Sequence, residues 1–327
     1  MNNHYFAICL GLCSLIILAG ILSLTQFSPL SLNIQEAWHV ISGQNIQNTV
    51  ELVIRELRIP RFIAAILIGA ALASAGTCMQ AITGNPLASP SLFGITAGAS
   101  LGLVLATILP IWPGWLYDQL ISMITAACCW GIIMFLTHTG RQNNSLKLIL
   151  CGLTVTAFCS AITRVLLLFF ESSSHSLLNQ LTGNLAGLRA HDVFWLMKII
   201  VPILIILLLI SHRLDLLQLG REQAQNLGIS FNYWQISLSL LVLVLVSTTV
   251  SLCGQFAFVG LLVPHLARFL TGHRHRFMLP VSMLIGANLV SWGDLLGRAT
   301  NFPAETPAGA VLAIIGAPCL IYLVRRA

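Results

Sequence analysis

The chain has 327 residues, of which 57% are hydrophobic and only 8% charged, with a mean hydropathy of +0.89. A soluble globule carries about a quarter charged residues, so one polytopic membrane domain fills the sequence and no soluble domain remains to be placed. The net charge of +6 is scattered over spans and short loops and forms no continuous basic face, which argues for membrane topology rather than a nucleic-acid partner.

The first apolar run, "YFAICLGLCSLIILAGILSL", has no basic leader and no small-residue cleavage site, so it is expected to persist as the first span. Hydropathy predicts an all-α chain of about ten spans, near 5–27, 61–80, 92–110, 115–137, 146–170, 193–211, 231–252, 255–270, 278–297 and 307–324. Ahead of the second span, "ELVIRELRIPRF" gathers Arg55, Arg58 and Arg61 at spacings of three, and Arg298 ends the ninth. Two readings stand for them: arginines that snorkel to lipid headgroups, or a basic docking surface for an acidic partner.

The second and third spans are rich in small residues, and Pro86 and Pro90 should break the helix between them. Close packing of an ordinary bundle explains the small residues. A path lined by Ser74, Thr77, Gln80, Thr96 and Ser100 explains them as well. The longest polar interruption is 212–234, where Leu216, Leu219, Ala224 and Leu227 can form an apolar stripe, Gly220 interrupts it and Gly228 is a candidate C-terminal cap. One or two short amphipathic helices are expected there, either resting on the membrane or receiving a cytoplasmic partner. The nine cysteines show no metal-ligand spacing and fall mostly in apolar runs, where Cys acts as a small hydrophobe.

An even number of spans puts both termini on one side. If that side is the cytoplasm it holds Arg141, Lys147, Arg213, Arg221, Arg274, Arg276, Arg325 and Arg326, against Arg55, Arg58, Arg61, Arg189 and Arg298 opposite. The bias favours cytoplasmic termini.

The spans and the small-residue path suggest a transporter, so the energy source decides its class. An ion-coupled carrier needs ionisable groups near the bilayer midplane, yet every Asp and Glu falls in a loop or within a turn or two of a predicted helix end. His265 is the one titratable group well inside a span, and a lone His beside Pro264 is read as a packing residue. Neither Lys147 nor Lys198 ends a phosphate-binding GxxxxGK[ST] loop. Such a transporter must borrow its energy from another subunit; the alternative is an ion-coupled secondary transporter.

Several motifs resemble the FecCD family, the membrane permeases of type II ABC importers for iron-siderophores, haem and cobalamin. They are "RIPRFIAAILIGAALASAGTCMQ", "GNPLASPSLFG", "GQFAFVGLLVPHLARFLTGHRHRFMLP", "GDLLGR" and "ETPAGAVLAIIGAP", with Phe256 where the family usually has Ile. The resemblance implies a multi-pass protein of the bacterial inner membrane, working as a dimer with an identical or paralogous second permease. It also implies two ATPase subunits that carry ATP and Mg²⁺, and a periplasmic or lipid-anchored binding protein; the chain itself would hold no cofactor. Arg58, Arg61 and Arg298 take the positions that pair with glutamates of the binding protein, while Arg55 lies outside the motif. Residues 219–228, including Leu219, Gly220, Arg221, Glu222, Ala224, Leu227 and Gly228, take the place of the segment that seats in the ATPase. Asn144 and Ser145 correspond to the inner gate.

Overall fold

The computed structural model describes residues 2–26, 52–109, 111, 114–138, 145–170, 177–300, 302 and 304–326. Among them it contains helices and turns but no strand. The principal elements are α1 (Asn2–Thr25), a π-helical turn (Ile54–Arg58) leading into α2 (Ile59–Thr83), α3 (Ile95–Ile108), α4 (Trp115–His138), α5 (Ser145–Phe169), α6 (Ala190–Leu209), α7 (Ser211–Leu217), α8 (Arg221–Asn226), α9 (Phe231–Cys253), α10 (Val259–Thr271), α11 (His275–Thr300) and α12 (Ala308–Arg326).

Each predicted span coincides with one of these helices, but their lengths differ. Seven are long and apolar enough to cross a membrane. The apolar stretches of α3, α10 and α12 are shorter, at Ile95–Ile108, Val259–Thr271 and Ala308–Tyr322. Hydropathy overestimated α3 and α10 because the apolar composition continues into the turns that flank them. Pro86 and Pro90 lie in the turns between α2 and α3, as their missing N–H groups and fixed φ require.

The core is organised around α2, whose apolar window is 83% buried against 17–22% for α1, α4, α5 and α6. It packs on α11, α9, α10 and α6, while α3 packs on α4 and α5. The reason lies in its Gly and Ala content. In a lipid-facing bundle, burying a leucine gains little over leaving it in hydrocarbon, and small residues favour association by letting backbones touch. Two crossings show it: a Cβ at Gly69 would overlap the Gly286 carbonyl on α11, and one at Gly76 would overlap the Gly260 carbonyl on α10.

The bundle has two poles. Arg58, Arg61, the C-terminal end of α1 and the C-terminal end of α11 meet at one. The C-terminal ends of α2 and α10, the start of α11 and α7 meet at the other.

Gly76→Ala is expected to force α2 and α10 apart and destabilise the fold by about 1–3 kcal/mol. Gly131→Ala on α4, where an added Cβ meets nothing within 4 Å, is the control. Thermal unfolding in detergent, followed by size-exclusion, should show a lowered midpoint for the first and no loss for the second.

Candidate functional site

Five charged side chains from four stretches of chain converge at the arginine pole. Arg61 enters from the first turn of α2, next to Pro60, where the π-helical turn gives way to α-helix. Its Nη2 lies 2.7 Å from Asp294 Oδ1 and its Nη1 2.6 Å from Glu305 Oε2. Asp294 and Arg298 stand four residues apart on one face of α11, and Arg298 Nε donates to Asp294 Oδ2 at 3.1 Å. Arg298 also donates to Ser23 of α1, through Nη2 to Oγ at 2.7 Å and through Nη1 to the carbonyl at 3.2 Å. Arg58, on the π-helical turn, donates to the carbonyls of Ser23 and Gln26 at 3.3 and 3.4 Å.

This corrects the expectation of arginines displayed on a surface. Arg58, Arg61 and Arg298 are 7%, 8% and 1% exposed, and Arg61 and Arg298 share one buried carboxylate. The physical reason is desolvation: a guanidinium among helices is stable only beside an anion with its remaining N–H groups bonded. Arg55 is exposed. The spacing of Asp294 and Arg298 was visible in "GDLLGR", but the partnership of Arg61 with Asp294, 233 residues apart, has no local signal.

The five residues expected to line a path lie inside the protomer. Ser74 and Thr77 donate to the carbonyls of Ala70 and Ala73 one turn back on α2, at 2.7 and 2.9 Å. Gln80 accepts from Arg268 of α10 at 2.9 Å, Ser100 accepts from Gln255 at 2.6 Å, and Thr96 Oγ1 is buried without a hydrogen-bond partner. All five are at most 6% exposed, so they line a path only if the surrounding helices part.

At the opposite pole the polar segment after α6, where one or two short helices were expected, forms two, α7 and α8. The apolar stripe is different from the one expected. Leu214, Leu217 and Ala224 are the buried positions, while Leu219 and Leu227 are 48% and 60% exposed. Gly220, at φ +93°, turns the chain between the helices and breaks the helical phase that would have continued the stripe; Gly228, at φ +79°, follows the end of α8. Arg221 and Glu222 occupy the first turn of α8. The groove between α7 and the start of α11 is lined by His212, Asp215, His273, Arg274, Arg276 and Phe277, among others. Asp215 bonds to His275, a contact the sequence reading missed.

Ser145 opens α5, and Asn144 falls outside the described residues. His265 is half-buried on α10. Among the described residues no three His, Cys, Asp or Glu side chains group as a metal site. Cys129 of α4 and Cys159 of α5 touch, with sulfurs 3.3 Å apart.

Removing the shared carboxylate by Asp294→Ala takes the anion from Arg298 and leaves Arg61 to the half-exposed Glu305, and should cost about 3–5 kcal/mol. Glu305→Gln, at a side chain 34% exposed, should cost about 1 kcal/mol or less. The order of thermal midpoints in detergent checks both, and equal midpoints would remove the distinction.

The chain matches the FecCD transport family over residues 15–326. It is 41% identical over 313 residues to the Fe(3+) dicitrate transport system permease protein FecC of Escherichia coli, covering 93% of this chain and 92% of the relative. Against the Fe(3+)-citrate import system permease protein YfmD of Bacillus subtilis the identity is 39%, with 84% and 82% covered. The hemin transport system permease protein HmuU of Yersinia pestis is 32% identical, with 95% and 94% covered. A solved structure of an inward-facing metal-chelate type ABC transporter superposes with a TM-score of 0.84 at 28% identity, covering 99% of this chain and 100% of that one. With matched residues spanning nearly the whole sequence and the bundle superposing end to end, the chain belongs to the FecCD transport family.

Proposed function

We propose that this chain is the membrane permease of an ATP-driven importer that carries an iron(III) chelate, with ferric citrate as the first substrate to test, across a bacterial inner membrane. The observation that carries the reading is the match over residues 15–326 together with relatives named for iron citrate at 41% and 39% identity. Relatives named for hemin and vitamin B12 stand at 32% and 34%.

Ten membrane crossings, seven by the long helices and three by α3, α10 and α12, put both termini on the cytoplasmic side. Ser23 near the end of α1 sits at the arginine pole, so the start of α1 belongs to the opposite one, which also carries Arg274 and Arg276. That is the pole a positive-inside distribution turns to the cytoplasm. There the exposed Leu219 and Leu227, flanking the charged first turn of α8, would seat in a separate ATPase subunit that holds ATP and Mg²⁺. Ser145, which opens α5, and Asn144 before it in the sequence are the proposed inner gate.

The second permease of the dimer is proposed to be a paralogue. Both Escherichia coli and Bacillus subtilis supply two different permeases related to this chain, FecC with FecD and YfmD with YfmE. The arginine pole, with Arg55 on its surface and Arg58, Arg61 and Arg298 beneath, is the proposed seat of a substrate-binding protein that brings acidic side chains. Because Arg61 and Arg298 are braced internally, they would shape this seat and its positive field; a free pair of hands for the partner they are not.

The importer should be purified with its ATPase, its second permease and its binding protein, and reconstituted in proteoliposomes. Ferric citrate should then stimulate ATP hydrolysis and accumulate inside, with no change on adding a protonophore. Collapse of uptake by the protonophore, or uptake by this chain alone, would overturn the reading. Deleting residues 219–228 should release the ATPase on co-purification. Arg55→Glu, at the exposed position of this pole, should weaken binding-protein attachment while leaving the permease assembled, and unchanged attachment would count against that seat.

A further inference from the structure

One contact at the inner pole joins the α7–α8 segment to a helix that runs the length of the bundle. Asp215 Oδ1 accepts from the backbone N–H of His275 at 2.8 Å and lies 2.7 Å from its Nδ1. A carboxylate only accepts, so Nδ1 carries the proton and one oxygen holds both the first residue of α11 and its ring. His275 is 1% exposed, and its Nε2 is buried without a hydrogen-bond partner, so its ring is anchored through Nδ1.

From there α11 extends for 26 residues, about 39 Å at 1.5 Å per residue. Near its middle, Gly286 touches Gly69 of α2 backbone to backbone. At its far end, Asp294 and Arg298 bind Arg61 of α2 and Ser23 of α1. Helix α1 is fastened along the same beam at three levels. The Tyr5 ring meets Phe277 with centroids 5.1 Å apart, Asn288 Nδ2 donates to the Leu12 carbonyl at 3.0 Å, and Arg298 holds Ser23.

We propose that α11, with α1 attached, is a rocking beam whose fulcrum is the Gly69–Gly286 contact, and that Asp215 is the positioning residue that passes movement of the α7–α8 segment to its inner end. This rests on the reading that α7–α8 receives the ATPase. A backbone contact without intervening side chains keeps two helices at fixed separation but gives little resistance to a change of crossing angle, because no ridge must climb out of a groove. Displacing the inner end of α11 then swings its outer end against α2, where Asp294 is tied to Arg61. Glu305, half-exposed on the loop before α12 and also bonded to Arg61, keeps that guanidinium paired as Asp294 moves away. The fold thus carries a substitute anion where the movement would otherwise strand a buried charge.

The test uses the whole reconstituted importer with ferric citrate, comparing wild type with Asp215→Ala, Asp215→Glu and His275→Gln. Three quantities are read: ATPase retained on co-purification, ATP hydrolysed, and iron taken up per ATP. Asp215→Ala is expected to retain the ATPase and hydrolyse ATP within about twofold of wild type, while iron per ATP falls on the order of tenfold. His275→Gln, which keeps the backbone bond to Asp215, should fall less, and Asp215→Glu should recover most of the ratio. Iron per ATP unchanged in Asp215→Ala, or hydrolysis and uptake falling in step across the variants, would overturn the proposal. If Asp215→Ala does not assemble, an unchanged ratio in His275→Gln overturns it equally. Failure of the underlying reading is a separate result: the ATPase would stay bound after deletion of 219–228.

Discussion

Asp294 is a single carboxylate held between two guanidiniums among packed helices, and three separate stretches of chain depend on it. Arg61 brings the start of α2, Arg298 brings α11 itself, and through Arg298 the end of α1 is drawn in by Ser23. None of these charges is stable there alone, since desolvation of an unpaired ion in such a setting outweighs any single hydrogen bond. The pairing therefore fixes which helix ends must coincide, and the Gly69–Gly286 contact then sets how closely α2 and α11 pack between their ends. A polar tie fixes registry at one pole and small residues fix distance in the middle.

That division of labour separates the rigid parts of the molecule from those free to change. Helices α2, α9 and α11 are largely buried and hold the core, whereas α1, α4, α5 and α6 turn most of their surface outward. Outward apolar surface in a bundle of this kind meets lipid or another subunit. The polar groups of α2 and α3 are meanwhile satisfied inside the protomer, Gln80 by Arg268 and Ser100 by Gln255. Any path that used them would require those pairs to break.

Helix positions were legible in the sequence because an apolar run near twenty residues is a long, cooperative signal, and of the one or two short helices expected in 212–234 the chain forms two. Burial was less legible. Periodicity put Leu219 and Leu227 on one stripe with Ala224, but the turn at Gly220 reset the phase, so Ala224 is buried while the two leucines are exposed. The arginines were found and their exposure misjudged, since an anion 233 residues away leaves no mark on the local pattern. Asp294 was passed over because it lies near a helix end, where a carboxylate ordinarily meets water. Asp215 and His275 escaped notice for a related reason: each looks like an ordinary polar residue of a cytoplasmic loop, and only their meeting gives them a role.

Because two bases share one acidic group, a change at any of the three positions is felt by the other two. Loss of either arginine removes one of the two guanidiniums that donate to the buried Asp294, and loss of Asp294 leaves two like charges within a few ångströms. Lineages that abandon the triad would have to replace it in nearly one step, by apolar residues of matching volume or by a rearranged set of ions. Intermediates with two of the three should be scarce among descendants of this fold.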